Sequence, residues 1–115
     1  MNLDISQSIE IIETMENYIS KVRPRIEIRH QIDINYEIEG QSIILNEIRP
    51  FWNDPSQITI NGYAKATYVK SKNLWKIFWK RANNNWDSYQ PNPTVIELKQ
   101  FLKQVDEDKF GCFKG

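Results

Sequence analysis

The sequence predicts an α+β fold: an N-terminal helix, an antiparallel meander sheet of about five strands, and a C-terminal helix. Three observations predict it. Apolar residues recur at spacings of three and four near both ends of the 115-residue chain. Between those ends, apolar and polar residues alternate in runs of strand length. Short polar turns join the runs, so hairpins between consecutive strands are the default order.

Asp4 or Ser6 can cap the first helix, and Ile5, Ile9, Ile12, Met15 or Glu16, Ile19 and Val22 form its apolar stripe. The helix stops before Pro24, because the residue preceding a proline avoids helical backbone. Residues 26–38 alternate almost without fault, which predicts one long strand with Ile26, Ile28, Ile32, Ile34, Tyr36 and Ile38 on one face. His30 falls on that apolar face. Glu39-Gly40 is read as a two-residue turn, with residues 41–49 returning as a second strand that Pro50 ends. Residues 50–57 then read as a loop, with Phe51 and Trp52 folding back on the core or over a sheet edge. Residues 58–63 make a weak strand, and Gly62 marks a bend or bulge.

The stretch from Tyr63 to Tyr89 organises the chain. Runs 64–69, 74–80 and 86–89 are rich in aromatic and β-branched residues and read as a three-stranded meander. Alternation puts Trp75, Ile77, Trp79 and Arg81 on one face of the middle strand, the better core face. Leu74, Lys76, Phe78 and Lys80 take the other. Pro91 and Pro93 break the chain, Thr94 and Glu97 suggest a capping box, and Val95, Leu98, Phe101 or Leu102, and Val105 form a helical stripe ending near Asp106. The two phenylalanines of the tail are expected to tuck against the body.

Length and composition suit a single domain over residues 1–115 with a real core. No apolar run approaches the roughly 20 residues of a membrane span, and the N-terminus has no signal-peptide pattern. One cysteine excludes an internal disulfide and suits a reducing compartment, so a cytoplasmic location is expected. The net charge of zero hides an asymmetry. Residues 63–82 carry Lys65, Lys70, Lys72, Lys76, Lys80 and Arg81 with no acid, whereas residues 1–62 carry ten acidic and five basic side chains.

Several pieces together resemble a family of small bacterial proteins known only as a domain of unknown function, DUF3024. They are Arg23-Pro24, Glu39-Gly40-Gln41-Ser42, Glu47-Ile48-Arg49-Pro50 with Trp52, Ala64-Lys65 with Tyr68-Val69, Trp75 with Trp79, and Trp86 with Tyr89. Asp106, Asp108 and the ending Gly111-Cys112-Phe113-x-Gly115 complete the pattern. The family often has tyrosine before its second tryptophan; Phe78 removes that hydroxyl here. The resemblance implies a bacterial or bacteriophage source and brings no activity, ligand or catalytic residue.

Four constellations are candidates for function. Lys65, Tyr68, Lys70, Lys76, Phe78 and Lys80 suit single-stranded nucleic acid, with rings for bases and ammonium groups for phosphates; the bland reading is core aromatics and strand-blunting lysines. Glu47, Arg49 and His30 share a face under the expected register and suit acid–base work, or else a structural ion pair. Asp33 and Glu47 meet on one face, as a metal-dependent nuclease needs, only if the turn has three residues. Asp106, Glu107, Asp108 and Cys112 fit no cation loop, and Cys112 reads as a packed small residue. One histidine and one cysteine argue against a zinc site, and no metal or cofactor is expected. The leading reading is a non-enzymatic binding module with nucleic acid as its partner. The alternatives are a small enzyme using Glu47, Arg49 and His30, or a protein-interaction or homodimerisation domain using an open sheet edge and Trp52.

Overall fold

Asp4 caps the first helix, its Oδ1 accepting from the Gln7 amide at 2.8 Å. The computed structural model describes residues 4–113, so the first three residues and Gly115 of the closing motif lie outside it. Helix α1 (Ile5–Val22) is followed by a single 3₁₀ turn (Ile26–Ile28). Strands β1 (Asp33–Glu39), β2 (Ser42–Phe51), β3 (Asp54–Val69), β4 (Leu74–Lys80), β5 (Trp86–Ser88) and β6 (Thr94–Val95) come next, and α2 (Leu98–Glu107) ends the order. The sheet runs β1-β2-β3-β4-β5, each strand antiparallel to its sequence neighbour. The α+β meander expected from the sequence is therefore the fold.

The core lies on one face of this sheet, here the inner face. Ile43 and Leu45 of β2, Ala64 and Ala66 of β3, and Trp75 and Ile77 of β4 pack with Ile11, Met15 and Tyr18 of α1 and Phe101, Leu102 and Val105 of α2. Two phenols and one ion pair fasten this layer. Tyr18 donates to Asp106 Oδ1 at 2.7 Å and joins the helices; Tyr36 donates to Glu16 Oε2 at 2.7 Å and joins α1 to β1. Arg23 grips Asp33 with two nitrogens, at 2.8 and 2.7 Å, so the end of α1 meets the start of β1. That guanidinium holds the Asp33 carboxyl below the usual carboxylate range.

Several local expectations are corrected. The buried stripe of α1 is Ile11, Met15 and Tyr18, while Ile5, Ile9 and Ile12 are exposed. The run 26–38 is not one strand. Its first part forms the 3₁₀ turn, with Arg29 Nε donating to the Pro24 carbonyl at 2.8 Å, and pairing with β2 begins only at Asp33 opposite Ile48. Alternation alone cannot hold a strand that has no neighbour to bond to. The β1–β2 turn is Gly40-Gln41, with Gly40 at φ +60°, rather than Glu39-Gly40.

Pro50 does not end β2, and residues 50–57 are not a loop. They belong to a long β2–β3 hairpin whose turn is Trp52-Asn53. Among the described residues this hairpin has no third strand beyond Ile48 on one side and before Ala64 on the other, so each strand needs donors on one side only, and Pro55 falls in a second register break, where residues 55–57 have no partner opposite them. Trp52 does not fold back; it stands 85 % exposed at the tip. A one-residue bulge sits where expected, with Leu45 opposite Ala64 and Asn46 opposite Gly62, leaving Tyr63 as the extra residue. The Thr94–Glu97 capping box gives way to β6, whose Val95 lies opposite Trp75, and the box is formed instead by Glu97 and Gln100. Of the tail phenylalanines, Phe113 packs on Tyr89 with ring centroids 4.8 Å apart, whereas Phe110 is exposed.

Burial pushes the Tyr36 phenol up to about 12, with its bond to Glu16 adding to the shift, and pushes Tyr18 and Tyr63 in the same direction. The folded state keeps these protons where the unfolded chain loses them. Their contribution is thus complete below about pH 10 and is lost as pH rises towards 12. Urea midpoints measured between about pH 8 and pH 11 should fall, and Tyr36→Phe should flatten that fall.

Candidate functional site

The opposite, outer face of the meander carries the basic residues. Strand parity places Lys65 and Thr67 of β3, Lys76, Phe78 and Lys80 of β4, and Trp86 of β5 on it. Both helices are engaged in the core on the inner face. Lys65 lies opposite Phe78, and Lys80 opposite Trp86, so the two ammonium groups sit over two rings. Lys65 Nζ is 5.1 Å from the Phe78 centroid and 5.0 Å from that of Trp86; Lys80 Nζ is 5.3 Å from Trp86.

Trp86 reaches across to β3 because residue 62 is glycine. A Cβ there would lie 3.0 Å from Ile44 Cγ2 and 3.2 Å from Trp86 Cζ2. Ile44 and Asn46, outer-face residues of β2, are buried in the same cluster. Half-buried Phe78 and Trp86 thus form an aromatic floor with Lys65 and Lys80 above it and Lys76 exposed alongside. The sequence alone does not mark Trp86 as a binding residue. Its signal was its place one turn beyond Lys80, which pairing turns into direct opposition.

The remaining candidates separate. Tyr68 faces inward, opposite Trp75 with centroids 5.1 Å apart, and its hydroxyl bonds Asn73, so it is a core residue and no part of the outer floor. Parity dictates this: Tyr68 is three residues from Lys65 on one strand. Lys70 is exposed in the turn after β3. Arg81 pairs with Asp87 at 3.1 Å and lies over the inner-face Trp79.

Glu47 and Arg49 do form an ion pair, but His30 is not with them. Moving the turn by one residue moves the register by two, so Ile34 lies opposite Glu47, and His30 remains exposed in the turn before β1. Asp33 lies opposite Ile48, so it and Glu47 occupy opposite faces and cannot share an ion. Among the described residues no group of three His, Cys, Asp or Glu side chains could hold a metal. Asp106 accepts from Tyr18, Asp108 Oδ1 accepts from the Phe113 amide at 3.0 Å, and burial pushes the Cys112 thiol up, away from reactive thiolate.

The contact at Gly62 gives a direct test of how the floor is built. Gly62→Ala should destabilise by about 1 kcal/mol, because Ile44 and Trp86 must give way, and should change the Trp86 emission. Urea unfolding would check this, and the cost should shrink in a Trp86→Ala background, where one of the two obstructing groups is gone.

Among the described residues, no helix is long and apolar enough to cross a membrane. No curated protein and no solved structure matches the chain. The model of a domain of unknown function, DUF3024, matches residues 4–115, and over that span, essentially its full length, the chain belongs to the DUF3024 family.

Proposed function

We propose that the protein is a non-enzymatic binding module whose outer sheet face takes single-stranded nucleic acid. The observation that supports this most is the pairing of cations with rings on a helix-free face: Lys65 over Phe78 and Trp86, Lys80 over Trp86, and exposed Lys76 beside them. Stacking needs an aromatic surface, and backbone tracking needs ammonium groups around it. In the free protein Lys65 occupies the ring faces. A bound strand would draw that ammonium onto a phosphate and leave the rings to a base. The meander supplies no carboxylate between residues 63 and 82 to compete for those lysines. The cytoplasm is the compartment we assign, since a lone thiol suits reducing conditions.

Trp86 is a built-in reporter. Titration with short single-stranded DNA and RNA at low salt should quench tryptophan fluorescence to saturation, and added salt should weaken binding. Lys76→Ala should lower the salt slope by about 0.7, one phosphate contact on a single strand, while Phe78→Ala should weaken binding at unchanged slope. The absence of any response at low salt overturns the reading, because electrostatic binding is strongest there.

A further inference from the structure

We infer that the protein forms a two-fold homodimer in which the β2–β3 arm of one copy lies on helix α1 of the other. Two apolar surfaces have no cover among the described residues. On the arm, Ile58 and Ile60 share one face at 63 % and 57 % exposure, and Trp52 stands at the tip at 85 %. On α1, Ile5, Ile9 and Ile12 form a ridge at 80, 54 and 44 % exposure, and Ile12 lines a groove with Ile38 of β1. Ile26, Ile96 and Phe110 are also exposed, but they are scattered: one in the 3₁₀ turn, one between β6 and α2, and one in the tail after α2.

Area identifies the occupant. The exposed fractions on α1 and β1 amount to about two isoleucines, and those on the arm to about one isoleucine and most of a tryptophan. Each surface is thus roughly 400 Å², within the range at which an exposed patch is often functional. The two are matched in size and chemistry. A reciprocal two-fold arrangement would cover both surfaces on both copies, about 1,600 Å² in all, the size of a standard stable interface.

The arm itself calls for such cover, since a two-stranded ribbon without a third strand is marginal on its own. Pairing through the free edge of β1 is the weaker route to a dimer. Two copies of β1 paired antiparallel about Tyr36 would set Asp33 against Glu39, and like charges directly opposite are destabilising.

Sedimentation equilibrium at micromolar concentration tests this. The full chain should have twice its 13.7 kDa mass. An arm variant, Ile58→Lys with Ile60→Lys, and a helix variant, Ile5→Lys with Ile9→Lys, should each sediment as monomers. All four positions are exposed and outside the core, so both variants should stay folded, with the near-UV circular dichroism of the core tyrosines and tryptophan unchanged. Mixing the two variants should restore a dimer, because that pair alone keeps one intact arm facing one intact helix. A wild-type monomer up to millimolar concentration overturns the inference. So does a dimer lost in only one variant, which would mean a surface paired with itself, or an open-ended series of larger species, which would mean a contact that does not close.

Discussion

The unequal pairing of β3 is the constraint on which the rest of the molecule depends. This strand pairs with β2 from Ile58 to Thr67, and again at Asp54 beside the turn, but with β4 only from Ala64 onward. Its second half is therefore central. There Ala64 and Ala66, fully buried, leave room for two helices to approach the sheet. Its first half has one neighbour and leaves the body as an arm. The bulge marks the changeover. By adding one residue it turns Tyr63 towards the core and places Gly62 on the outer side, where the missing Cβ admits Trp86. Core, outer cluster and arm are three consequences of one strand outrunning its partner.

The two faces of the sheet do different work with similar residues. Inward, aromatic rings meet apolar neighbours, and their hydroxyls satisfy carboxylates: Tyr18 with Asp106, Tyr36 with Glu16. Outward, rings meet ammonium groups. The inner contacts are shielded and fix geometry. The outer ones are accessible and exchangeable, since an ammonium over a ring at the surface gains only about 0.5–1 kcal/mol and can leave for a better partner.

Most of the fold was legible because its signals were periodic and local. The helices, the hairpins of the meander and the core face of β4 all follow from spacing, and Gly62 was marked as a bulge by its residue type. The failures share a cause: the sequence shows what a segment prefers but not what lies beside it. Residues 26–32 alternate with His30 as the one break, yet have no strand to pair with. Pro50 and Pro55 look like loop residues yet sit in strands, because the arm has free edges and because residues 55–57 fall in a break of the β2–β3 register that requires no donor. The candidate site was legible to the same degree. Lys65, Lys76, Phe78 and Lys80 share a face as parity requires. Tyr68 was lost to the core by the same parity, and Trp86 entered only through the register across a loop. His30 left its cluster because the cluster assumed a strand that stops short of it.

The meander order bears on how this chain reaches and leaves its native state. Among β1 to β5, every neighbouring pair is also adjacent in sequence, so each hairpin closes a short loop at low entropic cost. The bond between Tyr18 and Asp106 spans 88 residues and belongs to the opposite extreme. Topology of this kind lets the hairpins form rapidly and leaves the docking of the two terminal helices as the late, expensive step. By the same measure the arm, with one neighbour per strand and exposed side chains, is the part that opens most readily, whereas α1 and α2, which carry the fully buried Met15, Phe101 and Val105, open only with the core.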